Sequence, residues 1–334
     1  MGEPGESVDG CVQLLTCPIC RESLAQVGGT LKCPRSHSFD LAREGYVNLL
    51  LPGRRRPEVL GDTRDMLRAR RRFLDRGHYA PLSDAINECV GDYLVDAGPR
   101  GDGPQPPSRT KGSEAAPSRT KGSEAAPSRP LRFSSACIVD VGCGEGYYIG
   151  RLERYLDGRL RDRRGDDFRP LCCFGMDVSK EAARLAARRY QGVHFFVAST
   201  NRRMLFADRS VQVVLNVFAP RNPVEFGRIA ARGGLLVVVI PQPGHLESLR
   251  SNLNLLGIEQ DKRERVVEHM AAGEFRLAGE REVEIEMALD GDELVDLVRM
   301  TPNYWHLSPE DWDDIRATEG VRTRAGFTML MFRA

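Results

Sequence analysis

The sequence predicts an α/β protein: a doubly wound, mostly parallel sheet, preceded by a small module clipped by a metal. Three observations predict it. Short apolar runs alternate with helical stretches through the second half of the chain. The first of these runs ends in a glycine-rich turn, VDVGCGEGYY (139–148). Near the N-terminus, three cysteines and a histidine stand at ligand spacing in CPICRESLAQVGGTLKCPRSH (17–37). Runs that are apolar throughout, joined by helices, are what a parallel sheet covered on both faces requires.

The 334 residues leave room for one large or two modest domains, and 41% apolar with 28% charged content is that of an ordinary globular protein. No run approaches the roughly 18 apolar residues of a membrane span. The first sixteen residues carry Glu3, Glu6 and Asp9 with no Lys or Arg, unlike a secretory or transit peptide, and Glu6 stands where a myristoylation signal wants Ser or Thr. A cytoplasmic protein without membrane contact is expected. Of nine cysteines, Cys11, Cys89, Cys137, Cys172 and Cys173 lie in or beside apolar stretches and read as buried reduced thiols. The net charge of +1 hides an asymmetry: residues 43–76 hold ten Lys/Arg against five Asp/Glu, and residues 274–334 seven against fourteen. A basic front permits a nucleic-acid partner, and reads equally well as solvated helix faces.

Taken in order, the elements begin with two amphipathic helices. DTRDMLRARRRFLDRGHY (62–79) has an N-cap candidate in Asp62 and apolar Met66, Leu67, Phe73 and Leu74 opposite a face of arginine. PLSDAINECVGDYLV (81–95) repeats the pattern with Leu82, Ile86, Val90 and Leu94. From about Gly98 to Pro130, Pro, Gly, Ser and charge dominate, and PSRTKGSEAA stands twice in tandem (107–116, 117–126); this reads as a flexible insertion without chemistry. Strands are expected at ACIVDV (136–141), LCCFGMDV (171–178), VHFFVA (193–198), VQVVLNVF (211–218) and GLLVVVIP (234–241), with a helix at KEAARLAARRY (180–190). VEIEMAL (283–289) and GFTMLMF (326–332) read as two further strands, antiparallel at the edge.

The C-x2-C-x12-C-x3-H spacing of Cys17, Cys20, Cys33 and His37 gives two half-sites, and twelve residues between them suffice for a hairpin. Three thiolates and an imidazole close a tetrahedron with no open position, which is a structural zinc site rather than a redox pair or a catalytic metal. About forty residues cannot fold unaided, so the metal supplies the stability. Lys32, Arg35, Arg43, Arg54 to Arg56 and Tyr46 then suit phosphate contacts and stacking on an RNA hairpin, or merely solvate the surface.

The turn after the first strand brings backbone N–H groups to a ligand at a helix N-terminus. Its glycines, Gly142, Gly144 and Gly146, are spaced G-x-G-x-G, and Tyr147 stands where a dinucleotide fold would have its third glycine. Asp140 would repel a pyrophosphate but suits a ligand carrying an ammonium and a sulfonium. Asp177, ending the second strand, is placed to accept the two hydroxyls of a ribose. These acids favour S-adenosylmethionine over a nicotinamide cofactor or a purely structural turn, and the fold class becomes that of a class I S-adenosylmethionine-dependent methyltransferase.

The cysteine motif, HSFDLAREGYVNLL (37–50), RRRFLDRGHYAPL (70–82), VDVGCGEGYY and GMDVSK (175–180) together resemble the RlmA family, over essentially the whole chain except the first dozen residues and the insertion. The resemblance implies a 23S rRNA guanine-N1 methyltransferase. It also implies that Tyr79 and His245, with Gly144 and Glu145, contact S-adenosylmethionine. LNVFAPRNP (215–223) is similar to the branch associated with tylosin-type resistance, GCGEGYY to the enterobacterial branch. For the base, Asn216 and backbone carbonyls near Pro220 are expected to hydrogen-bond the guanine edge, Phe218 to stack on it, and Tyr304 with Trp305 to close the other side; ordinary core packing is the competing reading for Phe218 and Trp305. No His or carboxylate sits in NVFAPRNP, so the catalytic base is left unnamed.

The expected organisation is a tail (1–12), a zinc-binding RNA-recognition module (13–56), a helical connector (57–97), the insertion (98–130) and the methyltransferase domain (131–334). Two other functions stay open: a methyltransferase of a small molecule or quinone, and a non-catalytic zinc-dependent RNA-binding protein. The expected partner is a hairpin of 23S rRNA, with homodimer formation left open.

Overall fold

The structure, a computed structural model, describes residues 10–51, 62–96, 136–161, 171–253 and 255–334. The expected insertion at 98–130, the arginines at 54–56 and the first nine residues lie outside the described residues.

The cysteine module opens with a 3-10 turn (Val12–Leu14), then forms a three-stranded antiparallel sheet, β1 (Ala25–Val27), β2 (Thr30–Lys32) and β3 (Ser38–Asp40). The β1–β2 hairpin is the one expected between the two half-sites. A short β4 (Val47–Asn48) follows, then α1 (Arg64–Asp75) and α2 (Ala80–Asp96). The N-cap of α1 is Thr63, whose hydroxyl accepts from Met66 N at 3.2 Å; the expected cap, Asp62, is instead paired with Arg70.

The remaining elements are β5 (Ala136–Val141), α3 (Tyr147–Arg161), β6 (Leu171–Asp177), α4 (Lys180–Arg189), β7 (His194–Val197), β8 (Val211–Val217), α5 (Pro223–Ile229), β9 (Ala230–Pro241), α6 (Glu247–Asn252), α7 (Lys262–Ala271), β10 (Arg276–Asp290), α8 (Gly291–Arg299), a 3-10 turn (Pro302–Trp305), α9 (Pro309–Ala317) and β11 (Gly320–Arg333). One eight-stranded sheet has the order β10-β11-β9-β8-β5-β6-β7-β4. Strands β4 to β9 run parallel in it, and β11 lies antiparallel between β9 and β10. So β11 is interior, not an edge: GFTMLMF is apolar on both faces because both are covered, and β10 alone holds that edge. The order reverses direction between β5 and β8, the switch point where such sheets bind ligands.

Alternate residues of the central strands feed two cores. Ile138, Val213, Leu215, Val237 and Val239 face α1, α2, α3 and α8, whereas Val139, Val214, Leu236 and Val238 face the other way. On that second face, beside Phe226 of α5 and Met270 of α7, lie Val12, Leu14, Leu15, Leu24, Leu31, Cys17 and Cys33 of the N-terminal module. The module is therefore part of the wall of the large sheet. Thr16 N donates to Leu205 O at 2.8 Å, Leu15 bridges to Phe206, and β4 extends the sheet alongside β7.

Two expectations change here. Cys11 and Cys172 are joined in a disulfide rather than lying as separate thiols, because Cys172 of β6 points to the face on which the module packs while Cys173 points to the other. Tyr46 is buried in the first core and does not present a ring to RNA; Lys32, Arg35 and Arg43 are exposed as expected. No helix among the described residues is long and apolar enough to cross a membrane.

Candidate functional site

A cleft of about 310 Å3 opens at the carboxyl ends of β5, β6 and β8, between the glycine turn, the Asp177–Ser179 turn and the loop 217–220. The turn folds as it does because its glycines take backbone angles that side chains resist. Gly142 has φ +79°, and a Cβ there would collide with Ala219; Gly146 has φ +82°, and a Cβ would come within 2.9 Å of Phe195. Gly142 N and Cys143 N donate to Met176 O at 2.8 and 3.0 Å, fastening the turn to the end of β6.

Two carboxylates behave differently in this cleft. Asp177 accepts from Gly144 N at 2.9 Å through Oδ2 and from Ser179 N at 2.8 Å through Oδ1. Each oxygen keeps a lone pair for a hydroxyl. Burial raises its pKa against the pull of those two N–H groups. Asp140 is 1% exposed and neither oxygen has a hydrogen-bond partner. Burial, and secondarily the charge of Asp177, push it up to about 7; the Ile149 N–H of α3 points toward it and lowers it slightly without making a hydrogen bond. A buried carboxylate with open lone pairs wants a cation or a donor, which is what the ammonium end of S-adenosylmethionine offers. The residues present fit that ligand.

Glu145, also on the cleft wall, is buried without a hydrogen bond and is faced by Arg71 at 3.6 Å and Arg189 at 3.7 Å. Burial outweighs both arginines and raises it to about 7. Helix α1 covers the cleft with Leu67, Arg70 and Leu74. Arg70 donates to Met300 O at 3.0 Å and is the single cation among the described residues that line the cleft. Composition and spacing did not reveal this residue; its position in the RRRFLDRGHY motif was the available signal.

Tyr79 and His245 do not line the cleft. Both pack on Phe327, at 4.9 and 4.8 Å between ring centres, and Phe327 in turn meets Phe218 at 5.3 Å. His245 is held neutral, its pKa lowered to about 4 by burial. Its Nδ1 lies 3.1 Å from Gly326 O, which only accepts, so Nδ1 carries the proton. Burial raises the Tyr79 phenol.

The loop after β8 departs from expectation at Asn216. This side chain is fully buried and its amide donates to Pro220 O at 3.0 Å and Val141 O at 3.4 Å. It holds the loop and does not line the cleft, because the strand's alternation puts position 216 on the second face with Val214; the Pro220 carbonyl already accepts one hydrogen bond from it. Phe218 does face the cleft, 44% exposed, with φ +53°, a left-handed backbone that a bulky residue adopts only under constraint. Trp305 is 52% exposed against Tyr304 and is not on the cleft wall.

At the N-terminal site, the donor atoms of Cys17, Cys20, Cys33 and His37 all lie within 4.8 Å of one another. Cys33 Sγ and Cys17 Sγ are 3.3 and 3.6 Å from His37 Nδ1, and Cys20 Sγ is 3.5 Å from Cys33 Sγ. A tetrahedron with bonds of about 2.0–2.3 Å has edges of roughly 3.5–3.8 Å; the three short separations come within a few tenths of an ångström of that, and the donor set is the one zinc takes.

Fold and site together define a class I S-adenosylmethionine-dependent methyltransferase carrying an N-terminal zinc ribbon. Residues 15–56 match the family model described as RlmA, N-terminal. The 23S rRNA (guanine(748)-N(1))-methyltransferase of Streptomyces fradiae is 34% identical over 90% of this chain and 89% of its own. A putative 23S rRNA (guanine-N(1)-)-methyltransferase of Micromonospora griseorubida is 35% identical over 88% of each chain, and one of Bacillus subtilis (strain 168) is 29% identical over 89% of each. The chain belongs to the RlmA family. Among solved structures, the YcgJ protein of Bacillus subtilis is 13% identical, with a TM-score of 0.40 over 60% of this chain and 92% of that one.

If Asp177 holds the adenosine, Asp177→Ala weakens S-adenosylmethionine about tenfold or more, since leaving two buried hydroxyls unpaired costs roughly 1–3 kcal/mol. Calorimetry checks this, and an unchanged affinity places the ribose elsewhere.

Proposed function

We propose that this chain transfers a methyl group from S-adenosylmethionine to N1 of a guanine in a hairpin loop of 23S rRNA, in the cytoplasm. The observation that carries the reading is the match to the Streptomyces fradiae enzyme, which spans zinc ribbon and methyltransferase sheet alike. A quinone or small-molecule substrate would leave the exposed Lys32, Arg35 and Arg43 of the ribbon without a use.

Bound in the cleft, S-adenosylmethionine supplies an electrophilic methyl. The glycine turn lets the backbone approach it, Asp177 takes the ribose hydroxyls, Asp140 meets the ammonium and Arg70 the carboxylate. The base must be swung out of its stack to reach the methyl, and Phe218 at the cleft mouth offers its ring to that base. Asn216 shapes the loop from beneath. Holding N1 in line with the methyl is the chain's main contribution to rate. We assign no side chain as general base: of the cleft carboxylates, Asp62 is paired with Arg70, Asp177 with two backbone N–H groups and Glu145 with Arg71 and Arg189, Asp140 is given to the ammonium, and loop 217–220 has neither His nor carboxylate.

The test is primer extension on 23S rRNA from cells with and without the gene. N1-methylguanine has lost a Watson–Crick donor and stops reverse transcription, so a gene-dependent stop identifies the guanine, and its absence sinks the proposal. For the mouth, Phe218→Ala is expected to lower kcat/KM for RNA about tenfold or more, since base stacking on an aromatic contributes roughly 1–3 kcal/mol, with S-adenosylmethionine affinity retained. Wild-type transfer by this variant removes Phe218 from the base site.

A further inference from the structure

Next to the cleft lies a second cavity, about 470 Å3, lined by Arg221, by Glu259 ahead of α7, and by Lys262, Arg265, Glu268 and His269 along α7. Arg221 directly follows Pro220 of the cleft wall, so this cavity begins one residue along the loop from where the target base enters. Its charges are poorly matched within the chain. Arg265 takes Glu259 at 2.7 Å, and Glu268 is exposed. Arg221 and Lys262 have no ion pair or hydrogen bond of their side chains among the described residues, and the Arg221 Nε is buried without a partner. Two partly buried cations share this cavity; desolvation lowers both pKa values, and Arg221 and Arg265 lower Lys262 further while Glu259, held by Arg265, offsets part of it. Such an arrangement is unfavourable until an anion enters between them.

We propose that this cavity is a phosphate subsite in which Arg221 and Lys262 clamp a phosphodiester of the RNA strand that carries the target guanine. The proposal rests on the rRNA reading above. A base inserted beside Phe218 brings the phosphates on either side of it to the rim of the cleft, and Arg221 is the first cation along that rim. The methionine carboxylate is assigned above to Arg70 in the cleft, so the anion taken here is a different one.

The experiment uses the full chain and a 23S rRNA hairpin fragment that the wild type methylates. Arg221→Gln, Lys262→Gln and the double variant are assayed for methyl transfer, for RNA affinity across a salt series, and for S-adenosylmethionine affinity. Losing one phosphate contact lowers the slope of log affinity against log salt by about 0.7–0.9, and the double variant is expected to show that decrease with a loss of RNA affinity of about tenfold. S-adenosylmethionine affinity stays at the wild-type value. Thermal midpoints hold or rise, because a repulsion has been removed; residues kept for stability would move them down. An unchanged salt slope and RNA affinity in the double variant overturn the subsite. The two readings fail separately: a wild-type chain that methylates no rRNA overturns the activity and the subsite with it, whereas an active wild type with indifferent variants overturns the subsite alone.

Discussion

Cys33→Ser is expected to empty the zinc site and to destabilise the methyltransferase sheet as well as the ribbon. Cys17 and Cys33 sit in the same buried cluster as Phe174, Phe196 and Phe206 of the large sheet. The ribbon's three short strands cannot hold that cluster closed alone, and in small zinc modules the binding free energy is the folding free energy. Opening the clip therefore uncovers the part of that sheet face which the ribbon covers beside α5 and α7. Metal analysis of the wild type should return about one zinc per chain, and the variant close to none. The loss of several kcal/mol lowers the thermal midpoint by 10 °C or more, at about 2–4 °C per kcal/mol for a domain of this size. A chelator should do the same to the wild type. A variant that keeps its zinc and its melting profile would remove Cys33 from the site.

Asp140→Asn should produce two effects of opposite sign. In the folded chain the carboxyl titrates at about 7, against an ordinary value of 3.8. The folded state thus binds more protons than the unfolded one between pH 4 and 7, and stability falls as pH rises across that window. At roughly 1.4 kcal/mol per unit the ceiling of this loss is on the order of 4 kcal/mol. The amide cannot ionise, so the ligand-free variant should melt higher than the wild type at pH 8 and at nearly the same temperature at pH 4. Glu145, also raised to about 7, contributes its own pH dependence to both proteins, and the difference between them isolates Asp140. Binding runs the other way. Only the ionised carboxylate attracts an ammonium, so wild-type affinity for S-adenosylmethionine rises with pH through about 7. The variant should bind about 10- to 100-fold more weakly at pH 8, the worth of a hydrogen bond to a charged group, and without the part of the pH dependence that Asp140 supplies. Equal affinities at pH 8 would show that the ammonium lies elsewhere.

Much of this was legible in local pattern. Strand periodicity placed β5 at the residues the structure assigns and β6, β7 and β8 within one residue of theirs, whereas β9, β10 and β11 begin four to seven residues before the expected runs. G-x-G-x-G with an acid at each strand end marked the cleft, and the cysteine spacing marked the four donors that now lie within 4.8 Å. These features are local because their physics is local: a glycine turn needs its backbone angles, a knuckle needs two ligands within a few residues, and a buried strand must be apolar along its length.

What only the tertiary structure decided involves surfaces far apart in sequence. The basic stretch before the insertion looked like an RNA face, yet Arg72 donates to the buried Asp296 at 2.8 Å, Arg76 pairs with Glu293 at 3.4 Å, and Arg71 faces Glu145. Part of the basic front thus meets the acidic back, Arg72 and Arg76 pairing with acids of α8 and its cap, because α1 packs against α8. Charge counts carry no information about which charges meet. The same reason hid Arg70 over the cleft, put Asn216 beneath its loop rather than against the base, buried Tyr46, and made the zinc ribbon a wall of the large sheet. The amino-acid sequence by itself determined the central strands, the four residues that can hold zinc and the acids that flank the glycine turn. Which faces those elements share was decided by burial between residues from 75 to more than two hundred apart, where no local periodicity reaches.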